Sequence, residues 1–174
     1  MLEKIKVLVK KYYYFLLIFF LVMAGAAIPE HFAVSTTASL KNRIYYVTHK
    51  EAVNVKTGDY IIFSILKSKA ESELPAPLVK MLKAAEDKTE LKRVGCSAGE
   101  FLNNIGNDYY CNKTYLGTAK NNALNGTVLD KYKFSGIVPQ GSLFVVGDSK
   151  DSFDSRYFGF ITVKNVEAVA YPII

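Results

Sequence analysis

The chain has 174 residues, half of them apolar and 22% charged, which leaves room for one ordinary domain core and excludes a disordered tail or a collagen-like rod. Lys plus Arg number 22 against 16 acids, a net charge of +6; Lys4, Lys6, Lys10 and Lys11 against Glu3 supply half of it at the N-terminus, so the mildly basic remainder gives no support to a nucleic-acid partner. His31 and His49 are the only histidines, too few for a His-rich metal site, and no metal or other cofactor is expected.

Residues 12–28, YYYFLLIFFLVMAGAAI, carry no charge and are closed by Pro29 and Glu30. As a helix they span roughly 25 Å, slightly short of a bilayer core. Val7, Leu8 and Val9 extend the run if Lys10 and Lys11 snorkel outward, and Tyr12, Tyr13 and Tyr14 sit where an interfacial aromatic belt belongs. The lysines precede the run, so the positive-inside rule predicts a cytoplasmic N-terminus. The expectation is a stub and transmembrane anchor over residues 1–29, in contact with membrane lipid, and an external domain over 30–174. A cleaved signal peptide is the competing reading, favoured by the small residues from Met23 to Ala27; the length of the apolar run speaks for retention.

Beyond the anchor, residues 43–48 (RIYYVT) and 60–66 (YIIFSIL) are β-rich, with Lys56, Thr57, Gly58 and Asp59 as the turn before the second. Pro75 and Pro77 interrupt. Residues 78–87 (LVKMLKAAED) have the amphipathic spacing of a helix. Residues 91–95 predict a short strand, 99–112 a hairpin around Gly106, Asn107 and Asp108, and 121–126 a loop. Strands follow at 132–138 and 143–146, and 160–171 closes the domain. Together with 12 Tyr, 11 Phe and no Trp, this predicts a mainly β, antiparallel domain on an N-terminal helix.

The densest polar stretch is 147–159, GDSKDSFDSRYFG, between two apolar strands. Such a run is costly to bury unless its groups pair. Its order resembles the last motif box of the type I signal peptidases, GD-x-x-D-(N)-S-x-D-S-R-Y-x-G, with one residue missing between Asp151 and Ser152. The family places a nucleophilic serine soon after its membrane span, and here residues 34–40 read VSTTASL, so the resemblance points to Ser39. Its general base is the lysine of a K-R-[VA] strand, matched by Lys92, Arg93 and Val94 in 91–100 (LKRVGCSAGE). A Gly-Asp pair opening an apolar strand is matched by 58–63 (GDYIIF).

The chemistry of the residues agrees with what the resemblance implies. A serine hydroxyl needs an adjacent base, and a lysine serves only where burial favours its neutral form. Lys92 shares a strand face with Val94, an apolar setting. The resemblance further implies that Thr37 helps form the oxyanion hole, that Ser152 hydrogen-bonds near the lysine, and that Asp154 and Arg156 form a supporting ion pair. After the serine, Leu40, Ile44 and Tyr45 look more like the conjugative-transfer (TraF-type) branch, S-[LM]-P-x-G-[LI]-Y, with Lys41 standing for Pro and Arg43 for Gly.

Cys96 and Cys111, fifteen positions apart, form either a disulfide in an oxidising periplasm or two free buried thiols. The implied function is a bacterial inner-membrane serine endopeptidase with a Ser39/Lys92 dyad, its catalytic domain periplasmic, cleaving exported precursor proteins or a conjugative pilin after small residues. The alternative is a membrane-tethered binding or assembly factor that keeps the fold without the activity. Cleavage of a precursor peptide separates the two.

Overall fold

A computed structural model describes residues 2–27, 31–36, 39–49, 54–65, 89–123 and 126–174. The first element is helix α1 (Leu2–Ala27), 26 residues without an internal Pro. Its described side chains from Tyr12 to Met23 are all exposed; they cover only about 18 Å of rise. Among the described residues no helix is long and apolar enough to cross a membrane.

Eleven strands follow among the described residues: β1 (Phe32–Val34), β2 (Ile44–Thr48), β3 (Tyr60–Ser64), β4 (Thr89–Ser97), β5 (Phe101–Ile105), β6 (Asp108–Cys111), β7 (Thr114–Thr118), β8 (Gly136–Ile137), β9 (Ser142–Val146), β10 (Ile161–Thr162) and β11 (Val166–Pro172). They form a seven-stranded sheet, β1-β2-β11-β3-β4-β9-β10, and a four-stranded sheet, β7-β6-β5-β8. The strand pairings are antiparallel, so the mainly β, antiparallel part of the sequence reading holds. A short helix, α2 (Ser155–Phe158), interrupts the return from β9 to β10.

Several elements differ from expectation for identifiable reasons. The strand expected at 132–138 shrinks to β8 because its backbone donors go elsewhere. The Tyr132 N–H donates to the Arg156 carbonyl at 2.9 Å, and the Phe134 N–H to the Asn104 side chain at 2.9 Å. The closing strand is broken by a 3-10 turn at Val163–Asn165, whose first N–H donates to the Gly141 carbonyl. The short strand at 91–95 is longer, since both β3 and β9 pair with it. The hairpin at 99–112 forms as β5 and β6, with Gly106 at φ 62° supplying the left-handed turn residue. The helix expected at 78–87 lies outside the described residues.

Three apolar clusters hold the sheets. Ile61, Phe63, Val94, Val145, Phe158 and Ile161 pack on one face of the central strands. Cys96, Phe144 and Val146 pack with Leu102, Tyr109 and Cys111 of the smaller sheet, so β9 feeds both clusters through its alternating faces. A bulge between Val94 and Cys96 switches β4 from one cluster to the other. Gly95 occupies it, where a Cβ would sit 3.0 Å from Val146 Cγ2. The third cluster gathers Leu40, Tyr45, Val47, Ala168 and Ala170. Cys96 and Cys111 are joined in a disulfide with Cα atoms 5.5 Å apart, tying β4 to β6. They are not the free thiols of the alternative reading.

Candidate active site

On β4, Glu90, Lys92 and Val94 share one face by strand alternation. Opposite them on β3 stand Phe63 across from Glu90 and Ile61 across from Lys92, both members of the first cluster. The Lys92 side chain is only 4% exposed. Burying an ammonium among apolar groups demands a partner, and the structure supplies one: Lys92 Nζ donates to Glu90 Oε2 at 2.9 Å, with the Glu90 side chain 37% exposed. The apolar setting read from the sequence is therefore present, but with a carboxylate at its open end. The E-x-K spacing on a strand was the available signal for Glu90.

Arg93 pairs with Val146 across the β4–β9 ladder. One step further in the same register, Lys92 comes level with Gly147. There the backbone makes a close approach: a Cβ on Gly147 would collide with the Ser152 side chain and lie 2.8 Å from the Ser39 carbonyl oxygen. That carbonyl also accepts from the Ser149 N–H at 3.1 Å. Ser39 is half-buried, and the next residue, Leu40, anchors the segment in the third cluster. Thus the start of the 147–154 loop brings together Ser152 and the Ser39 main chain beside the strand position of Lys92. Ser152 Oγ is buried without a hydrogen-bond partner. Thr37 lies outside the described residues.

Asp154 and Arg156 form the expected ion pair. The guanidinium donates from Nε to Asp154 Oδ1 at 2.8 Å and from Nη2 to Oδ2 at 2.6 Å, with both side chains at most 2% exposed. Burial pushes the Arg156 guanidinium toward neutrality, but the hydrogen bonds and charge of Asp154 outweigh it and raise its pKa. The pair also fixes backbone. Asp154 caps α2 and accepts from the Gly147 N–H at 2.9 Å, while Arg156 Nη1 donates to the Thr118 carbonyl at 2.9 Å. Ser155, whose hydroxyl accepts from the Val145 N–H at 2.9 Å, completes the clamp on β9 and was not singled out from the sequence.

The two departures after Ser39 have ordinary backbone roles. The Lys41 N–H, which Pro would lack, donates to Asp148 Oδ2 at 3.2 Å. Arg43 accepts from the Ser35 N–H and donates to the Ile174 carbonyl. The described non-glycine residues with positive φ are Asn112 and Lys113, so Arg43 needs no glycine-like conformation. Asp148 also accepts from Arg93 Nε at 2.9 Å. On that side of β4, burial raises the Tyr60 hydroxyl pKa, the Asp148 charge adding to it and Arg93 opposing. Burial, with Tyr60 and Asp148 adding, pushes Tyr45 up to about 12.

Ser152 also lines a cavity of about 390 Å³ with Lys120, Leu129, Asp151, Phe153 and Tyr157. Among the described residues, Cys96, Glu100 and Cys111 are the one group close enough to hold a metal ion, and its two sulfurs are spent on the disulfide.

The family model described as signal peptidase, peptidase S26, matches residues 2–174. Signal peptidase I of Haemophilus influenzae is 27% identical over 151 residues, 78% of this chain and 40% of that protein. Signal peptidase I of Aquifex aeolicus is 40% identical over 58 residues, 30% of this chain and 23% of the relative. The chain thus spans less than half the length of these curated relatives. A crystal structure of a signal peptidase I from Enterococcus faecalis aligns over 67% of this chain and 96% of that one, at 24% identity and a TM-score of 0.40.

Proposed function

The chain belongs to the signal peptidase family, peptidase S26, and from that premise we propose that it is a serine endopeptidase in which Ser39 is the nucleophile and Lys92 its general base. The observation that carries the proposal is a nearly inaccessible lysine on β4, level with Gly147, where Ser152 and the Ser39 main chain converge. Neutral Lys92 takes the Ser39 proton as the hydroxyl attacks the scissile carbonyl, giving an acyl-enzyme and a protonated lysine that returns its proton to the leaving amine. Backbone N–H groups and Thr37 stabilise the oxyanion. The unpartnered Ser152 hydroxyl is an available hydrogen-bonding group to orient the amine. Asp154 and Arg156 hold the loop rather than touch the substrate.

The substrates are exported precursor proteins, cut after small residues. Residues 1–29 serve as cytoplasmic stub and anchor in the bacterial inner membrane, and 30–174 as a periplasmic catalytic domain. The uncharged run 12–28 and the four lysines before it support this arrangement, and the disulfide suits an oxidising compartment. The Leu40, Ile44 and Tyr45 pattern supports conjugative pilin as the precursor, where an amine replacing water would cyclise the product. The presence of both Ser39 and Lys92 weighs against an inactive assembly factor. Incubating the full chain in detergent with a precursor peptide bearing an Ala-x-Ala site, and with candidate pilins, tests the reading: cleavage after the last small residue is expected, and intact peptides at every enzyme concentration would contradict it.

A further inference from the structure

The established features of the site do not account for Glu90. Its carboxylate is the charged partner of Lys92, at 2.9 Å, on the same face of β4. A carboxylate at that distance favours the charged form of an amine, whereas the proposed base has to be neutral to act. We infer that Glu90 is a positioning residue that clamps the resting Lys92 ammonium and sets the pH above which the base becomes available. The inference rests on the Ser39/Lys92 reading.

Among the described residues, the surroundings leave Glu90 as the group that does this. Across β3, the residues facing the pair are Ile61 and Phe63, neither of them titratable. On the β9 side, Val145 and Gly147 bring no charge, and Ser152 brings a neutral hydroxyl. Arg93 projects from the opposite face of β4 and is paired with Asp148, near the neutral hydroxyls of Tyr45 and Tyr60. Asp154 and Arg156 neutralise each other. Lys150 is exposed, and Asp151 is paired with Lys120. Glu90 is also the accessible member of its own pair, so a substrate strand arriving over the site meets the carboxylate before the buried amine.

The test is the pH profile of kcat/KM from pH 6 to 10 for the full-length protein in detergent, with an Ala-x-Ala precursor peptide as the probe. Glu90→Gln removes the charge and keeps the shape. Its acidic limb is expected to move at least about one pH unit lower, making it roughly tenfold faster than the parent on that limb. Glu90→Asp, which keeps the charge, should hold the limb near its original position. If the Gln variant melts early, Glu90→Ser provides a second uncharged replacement with the same expected displacement. A folded Gln or Ser variant whose limb coincides with the parent's, or which is inactive at every pH, overturns the inference. Lys92→Ala runs alongside: activity in it would defeat the dyad itself, whereas an inactive Lys92→Ala beside an unmoved Glu90→Gln limb would defeat only the role given to Glu90.

Discussion

Gly147 is where one atom decides the geometry of the site. The hydrogen in place of a Cβ lets the Ser152 side chain and the Ser39 carbonyl meet the end of β9. Gly147→Ala should therefore push both serines outward. A shift of about 1 Å in a positioned group is enough for a rate loss on the order of a hundredfold, at an overpacking cost of about 1–3 kcal/mol. Activity near that of the parent, in a variant whose melt is little changed, would mean that the convergence at Gly147 is unimportant. Two of the loop's ion pairs show the weight of burial. Asp154 and Arg156 are desolvated and satisfied by several further hydrogen bonds, so loss of either partner strands a charge. Asp151 and Lys120 are solvated, and such a pair contributes little.

At the scale of elements, the turn from β4 to β5 is organised by Glu100, which accepts from the Ser97 N–H at 2.8 Å, the Ser97 hydroxyl at 2.8 Å and the Asn112 amide at 3.0 Å, with the Thr57 hydroxyl also donating. Burial pushes its pKa up, but these donors together outweigh burial and hold the carboxyl below its usual range. A depressed folded-state pKa contributes stability that is fully present above the unfolded value of about 4.5 and is lost as pH falls through the folded value. Glu100→Gln should accordingly melt below the parent at neutral pH, with the gap closing on acidification below about 4.5. Thermal melts of both proteins between pH 3 and 7 measure it, and a gap independent of pH would refute the assignment. The elements also mark how far local pattern carries. Strands 43–48 and 143–146 were legible because runs of β-branched, aromatic and apolar residues lay beside turn signals. The strand at 132–138 was misread because the Asn104 side chain and the Arg156 carbonyl take its donors, partners distant in sequence that no local window contains.

Across the whole molecule, the apolar strand setting of Lys92 and the Asp154–Arg156 pair of the 147–159 loop were legible because the residue order there is distinctive. Glu90 was not, since its part depends on which rotamer reaches the lysine. The proposed anchor is the other global feature: the charge asymmetry of the sequence predicts a reporter fused after Ile174 on the periplasmic side, and a cytoplasmic reporter would overturn the proposed topology. The central claim, that Ser39 and Lys92 work as one catalytic unit, is tested most directly by measuring cleavage of the Ala-x-Ala precursor peptide by the full-length parent, Ser39→Ala, Lys92→Ala and the double variant, each checked for folding by its melt. Residues that act as a unit are non-additive, so each single variant should be folded and as inactive as the double. Cleavage at the parent's rate by either folded single variant would contradict the account.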